Sequence, residues 1–152
     1  MPSTRKFAHE PDNRSMPAAT VIPVLHYPDV RAAVAELCAA FGFSERLRIG
    51  SHRVQLCVGQ AAVVAARGAS AAAEDETTHS VMVRVKDVDA HYAQAQEAGA
   101  KCLSAPANFP YGERQYSARD SGGHVWTFSQ SVEDSDPAAW GGEVMATPSS
   151  ET

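Results

Sequence analysis

Cysteine is scarce in this chain of 152 residues, and the three present, Cys38, Cys57 and Cys102, are far apart and odd in number. That argues against a disulfide framework and against a thiolate metal cluster, and each reads as a buried reduced thiol. Long apolar runs are missing as well. None approaches the roughly 18–20 residues of a membrane span, and the N-terminal stretch carries Arg5, Lys6 and Arg14 with no apolar segment that would serve as a signal peptide. The expected location is the cytoplasm, with no membrane partner. Phosphate-binding Gly-rich loops, a GxSxG elbow and an HExxH helix are all absent, so the common nucleotide, serine-hydrolase and zincin chemistries have no sequence support. Positive charge is not in excess. The net charge is -5, and five acidic residues with no Lys or Arg follow residue 130; without that tail and the first twenty residues, ten basic and eleven acidic side chains remain. A near-neutral body of this kind is not a nucleic-acid binder.

What is present is a chain long enough for one domain with a real core, 44% hydrophobic. Residues 1–20 are polar, contain three prolines and show no period, which reads as a flexible N-terminal extension, with the composition change after Met16 marking a second candidate start. The pattern begins with VIPVLHY (21–27), a strand by its β-branched content, with Pro23 near its start. Asp29 is placed as an N-cap, the apolar positions 30, 33, 34, 37, 38 and 41 form one helical stripe, and Gly42 ends it. Strands are expected at 43–49, 53–58 and 61–66, then a linker over 67–78. The same order restarts with the alternating strand HSVMVRV (79–85), a helix over 87–98 stopped by Gly99, and strands at 101–103, 115–119 and 124–130. Asp29-Val30 of the first half falls on Asp87-Val88 of the second. Two βαβββ modules, about 21–66 and 79–130, would set their sheets side by side as one curved mixed sheet with helices on the convex side and a concave cup left open, an α+β fold. Residues 131–152 form an acidic tail, in which Trp140 is expected to dock on the body or on a partner chain.

The last hairpin runs YGERQYSARDSGGHVWTFSQ, with its turn at Asp120-Ser121-Gly122-Gly123 and the aromatic residues Trp126 and Phe128 alternating on one face. This hairpin, the opening VIPVLHYPDVRAAVAELCAAFGF and the middle stretch VRVKDVDAHYAQAQEAGA together resemble the vicinal oxygen chelate superfamily, which includes glyoxalase I, extradiol dioxygenases and bleomycin-resistance proteins. The resemblance spans residues 21–130 and implies a single domain there, a small-molecule ligand and a homodimer. One departure stands in the hairpin: the family turn is Asp-Pro-Asp-Gly, and Ser121 and Gly122 replace its middle residues.

Enzymes of that superfamily hold a divalent metal with His, Glu or Gln on four strands of the cup. Carried onto this sequence, those positions fall on Ile22, Ser80, Thr127 and the stretch AAVVAA at 61–66, none of which offers a good ligand. His79 is the weak metal candidate, one residue away from the expected position and, by alternation, on the face of Val81, Val83 and Val85 that packs on the helices. The resemblance therefore implies a protein with no cofactor that binds, and sequesters, a drug or metabolite. The alternative is a metal-dependent lyase, isomerase or dioxygenase with non-standard ligands such as His26 and His79. The same alternation places Ile22, Val24, His26, Ser80, Met82, Arg84, Val125, Thr127 and Ser129 toward the cup, with Gln55, Tyr111, Arg114 and Tyr116 adding polar reach around it. Candidate ligand-binding residues are thus His26, Gln55, Met82, Arg84, Tyr111, Arg114, Tyr116 and Thr127. A cationic drug such as bleomycin would favour a negative groove, which this near-neutral core does not supply.

Overall fold

The computed structural model describes residues 11–69 and 78–145; most of the expected linker and the end of the acidic tail lie outside these. Two βαβββ modules follow one another. In the first, β1 (Val24–Tyr27) leads to α1 (Val30–Phe41) and then to β2 (Ser44–Ile49), β3 (Arg53–Val58) and β4 (Ala61–Arg67). In the second, β5 (Val81–Arg84) leads to α2 (Val88–Glu97), β6 (Lys101–Cys102), β7 (Ala107–Asn108), β8 (Glu113–Arg119) and β9 (Val125–Ser131). Each module carries its own mixed sheet: sheet A in the order β1-β4-β3-β2, and sheet B in the order β5-β9-β8-β6 with β7 also on β8. In both, the first strand lies parallel to the last, which is the crossover that a helix between them permits. The short β7 has no counterpart in the sequence pattern, because two residues are too few to show a period. No described helix is long and apolar enough to cross a membrane.

Both helices start as their sequences predict. Asp29 and Asp87 sit in extended backbone, and their carboxylates accept from the backbone N–H groups of Ala32 and Ala90. The end of α1 is closed partly by glycine and partly by α2. Gly42 takes a left-handed φ of 79° and its N–H bonds to Cys38 O, while Gln94 Nε2 donates to Ala39 O and His91 Nε2 donates to Phe41 O. Because a carbonyl only accepts, Nε2 of His91 carries the proton, and Nδ1 accepts from the Tyr116 hydroxyl. The half-buried ring lies 4.2 Å from Phe128 and stacks on Phe41 at 6.2 Å by centroids.

Burial pushes the pKa of His91 below its ordinary value, against the smaller opposing effect of the Phe41 carbonyl. With the folded value lower than the unfolded one, the unfolded chain takes up a proton that the folded chain refuses once pH falls below about 6.5. Stability is accordingly expected to be full above that pH and to fall on acidification. Thermal melts between pH 7.5 and 5 check this, and the acid-side loss should shrink in His91→Gln; an equal loss in that variant would refute the assignment.

One core joins the modules. Phe41 and Phe43 of the first pack against Trp126 and Phe128 of the second, with centroid separations of 4.8–6.0 Å. Its polar centre is Asp120, 5% exposed, at the turn of the last hairpin. The Oδ2 atom accepts from the Tyr27 hydroxyl at 2.6 Å and from Trp126 Nε1 at 2.9 Å; Oδ1 accepts from the N–H groups of Gly122 and His124. Burial first, and then the charge of Asp120, push the Tyr27 phenol well above its ordinary pKa. The departure from the family's turn sequence also has a cause here. A Cβ at position 122 would lie 2.6 Å from the Tyr27 ring, so glycine is what lets the turn close on β1.

Candidate functional site

Strand register decides which side chains leave the core. In sheet B, Met82 aligns with Thr127 and Arg84 with Ser129, and on the other side Gln115 pairs with Ser129, Ser117 with Thr127 and Glu113 with Ser131. All of these point away from the helices, as alternation requires. They form a connected polar strip. Arg84 Nη1 donates to Ser131 Oγ at 2.7 Å, Ser131 and Ser129 both donate to the Glu113 carboxylate, Gln115 Nε2 donates to Ser129 Oγ, and the Tyr111 hydroxyl donates to Gln115 Oε1. The two serine hydroxyls, with the nearby Arg84 charge as a smaller cause, hold the Glu113 carboxyl below the usual carboxylate range. Ser117 and Thr127 share a further hydrogen bond at 2.8 Å.

At one end of the strip the side chains turn apolar. A cleft of about 500 Å³ lies where the modules meet, between the β3–β4 turn and β5, lined chiefly by Val21, Pro23, Val63, Val81, Met82, Arg84 and Trp126. Met82 is 65% exposed and Val21 73%, so the mouth of the cleft is greasy and open. At the rim of the strip three aromatic rings are in series: Phe109 stacks on Tyr111, and Trp140 meets Tyr111 edge-on, each at 5.5 Å. Trp140 thus docks on the body, from a 3-10 turn (Pro137–Trp140) capped by Asp136.

Of the residues singled out from the sequence, Met82, Arg84, Tyr111 and Thr127 share this surface of sheet B. Gln55 and His26 belong to the corresponding face of sheet A, where Gln55 is buried and His26 exposed. Arg114 and Tyr116 are not brought to the site. Their register places them toward α2, where Arg114 forms an ion pair with Asp89 and Tyr116 is 1% exposed against His91. Glu113 was not visible as a site residue because the sequence pattern begins β8 at Gln115, and without that extra turn of the strand its facing is unassigned.

The positions at which the superfamily resemblance would put metal ligands show no donor set. Ile22 is apolar, Ser80 precedes β5, Thr127 is engaged with Ser117, and Ala61–Arg67 contributes only Ala and Val before its last residue. His79 stands exposed before β5 rather than within it, its ring 6.1 Å from that of His124. Among the described residues no group of three or more His, Cys, Asp or Glu side chains is placed to hold an ion. The described residues at those positions do not fit a divalent metal.

Two βαβββ modules joined through one core, with an apolar cleft at their junction and helix-free sheet faces, define a two-module α+β fold built to leave a cup. The family model described as Glyoxalase/Bleomycin resistance protein/Dioxygenase superfamily matches residues 21–128, and the chain belongs to that superfamily. Among solved structures it is similar to TioX from Micromonospora sp. ML1, at 33% identity over 76% of this chain and 100% of that one, with a TM-score of 0.64. A glyoxalase/bleomycin resistance protein/dioxygenase from Alicyclobacillus acidocaldarius shares the fold at 12% identity and a TM-score of 0.65, covering 78% of this chain and 95% of that one. So does a mutant of the fosfomycin resistance protein FosX from Listeria monocytogenes, complexed with Mn(II) and 1S,2S-dihydroxypropylphosphonic acid, at 16% identity, 74% and 90% coverage and a TM-score of 0.62. No curated protein matches the sequence significantly.

Proposed function

We propose that this protein binds and sequesters a small molecule, without a metal, in the cleft between its modules. The observation that carries the reading is the combination at β5. Met82 and Arg84 face both the apolar cleft and the hydrogen-bonding strip, in place of the donor set a metal would need. A volume of about 500 Å³ suits a drug-sized ligand, and such sites are mostly apolar with a few polar groups that set orientation. Met82 and Val21 supply adaptable apolar contact, and Arg84, which gives only Nη1 to Ser131, supplies further N–H donors for an acceptor-bearing end. The exposed Val21 and Met82 around the mouth also favour a second copy of the chain covering it, so the working unit is a homodimer.

The test uses 8-anilinonaphthalene-1-sulfonate, an apolar probe with one anionic end. Wild type is expected to bind one probe per chain, equally well with and without EDTA. Met82→Glu, which puts charge into the apolar wall, should weaken binding at least about tenfold. Binding lost in EDTA and restored by Mn(II) would sink the metal-free reading, and equal affinity in Met82→Glu would move the site elsewhere.

A further inference from the structure

The helix-free faces of the two modules are equivalent in fold and differ in cover. On sheet B the central glutamine, Gln115, is 9% exposed and is covered and held by side chains of the same module, Tyr111 and Ser129. On sheet A the central glutamine, Gln55, is 3% exposed, and Val64 beside it 4%, although Val64 is no part of the core under the helices. The cover is residues 11–20 of the same chain. Gln55 Nε2 donates to the backbone carbonyl of Ser15 at 2.8 Å, and Arg46 donates from Nη2 to the carbonyl of Arg14 at 3.0 Å and from Nη1 to Gln55 Oε1. Two residues further on, Pro17 is buried.

The chemistry of these contacts describes their ligand. An amide N–H and a guanidinium can only donate, so the pair selects carbonyl oxygens, here of consecutive residues, and is indifferent to the side chains of Arg14 and Ser15. Arg46 fixes the Gln55 amide by holding its oxygen, which leaves the NH₂ group directed outward. Proline suits the buried position that follows because it carries no N–H needing a partner.

We propose that the helix-free face of the first module is a groove for a peptide carrying a turn, recognised through two backbone carbonyls of that turn and one proline after it, and that residues 11–20, with their turn closed by Met16 N–H on the Asn13 carbonyl, occupy it in cis. The tether gives the strap an effective concentration that flexible links commonly raise to the millimolar range, so the groove is closed to peptides in trans while the strap is bound. Release of the strap opens a binding site separate from the cleft at β5.

The experiment is done on the full chain. Pro17→Asp is expected to release the strap, raising the rate of tryptic cleavage at the Arg14–Ser15 bond about tenfold or more. A fluorescein-labelled synthetic peptide of residues 11–20, which wild type does not bind, should then bind the variant one to one. Adding Gln55→Ala to that variant should abolish peptide binding, since it removes the donor for the Ser15 carbonyl. A Pro17→Asp protein that melts like wild type and binds no peptide overturns the proposal. If that variant does not fold, wild type decides: cleavage at Arg14–Ser15 at least tenfold slower than in the free peptide supports the strap, and equal rates overturn it.

Discussion

Replacing Asp120 with alanine is expected to cost about 3–5 kcal/mol of stability, the range for removing one partner from a buried hydrogen-bonded charge network. Four donors converge on its carboxylate, and two of them are side chains with no water to turn to: Tyr27 is 1% exposed and Trp126 0%. The alanine variant leaves both unsatisfied, and it loosens the turn as well, because Gly122 and His124 lose their shared acceptor. Tyr27 sits on β1 and Asp120 on the last hairpin, so this contact also fixes one module against the other. Asp120→Asn retains one acceptor oxygen and should lose distinctly less. Urea unfolding with an unchanged denaturant slope measures the difference. A loss below about 1 kcal/mol for Asp120→Ala would mean that the network contributes no more than one ordinary hydrogen bond.

Trp126→Ala is expected to cost about as much, 3–5 kcal/mol by the usual range for large aromatic truncations in a core. The indole is fully buried, lies 5.2 Å from Phe43 and 6.0 Å from Phe41 by centroids, and donates to Asp120. Its removal leaves a cavity at the junction of the modules and robs Asp120 of one donor. The two substitutions act on one network, so their effects should fall short of additive by about 0.5–3 kcal/mol, and a double-mutant cycle reads that coupling directly. Full additivity would show that the indole contributes only its apolar surface. Trp126 also lines the cleft, so Trp126→Ala should alter probe binding there, whereas Asp120→Asn should not.

The division between what was legible in the sequence and what was not follows the range of the interactions. The capping aspartates, the apolar stripe of α1, the repeat of the module order and the Gly-rich hairpin are all set by neighbours within a few residues, and the helices and most strands stand within two residues of where those signals put them. Alternation likewise placed Met82, Arg84, Thr127 and Ser129 away from the helices. Where the strand boundary was short, as at β8, facing became unreadable: Glu113 was missed, and Arg114 and Tyr116 were grouped with a face they do not share.

By itself, then, the sequence determined two βαβββ units and their caps, because local periodicity and capping chemistry need no knowledge of distant contacts. Tertiary structure alone decided what covers each sheet face. Tyr27 meets Asp120 at a sequence separation of 93, His91 closes the end of α1 at a separation of 50, and Gln55 holds Ser15 at a separation of 40. No local pattern encodes those pairings. They arise when packing removes water from buried donors and acceptors and leaves each to find whatever partner the fold brings within reach.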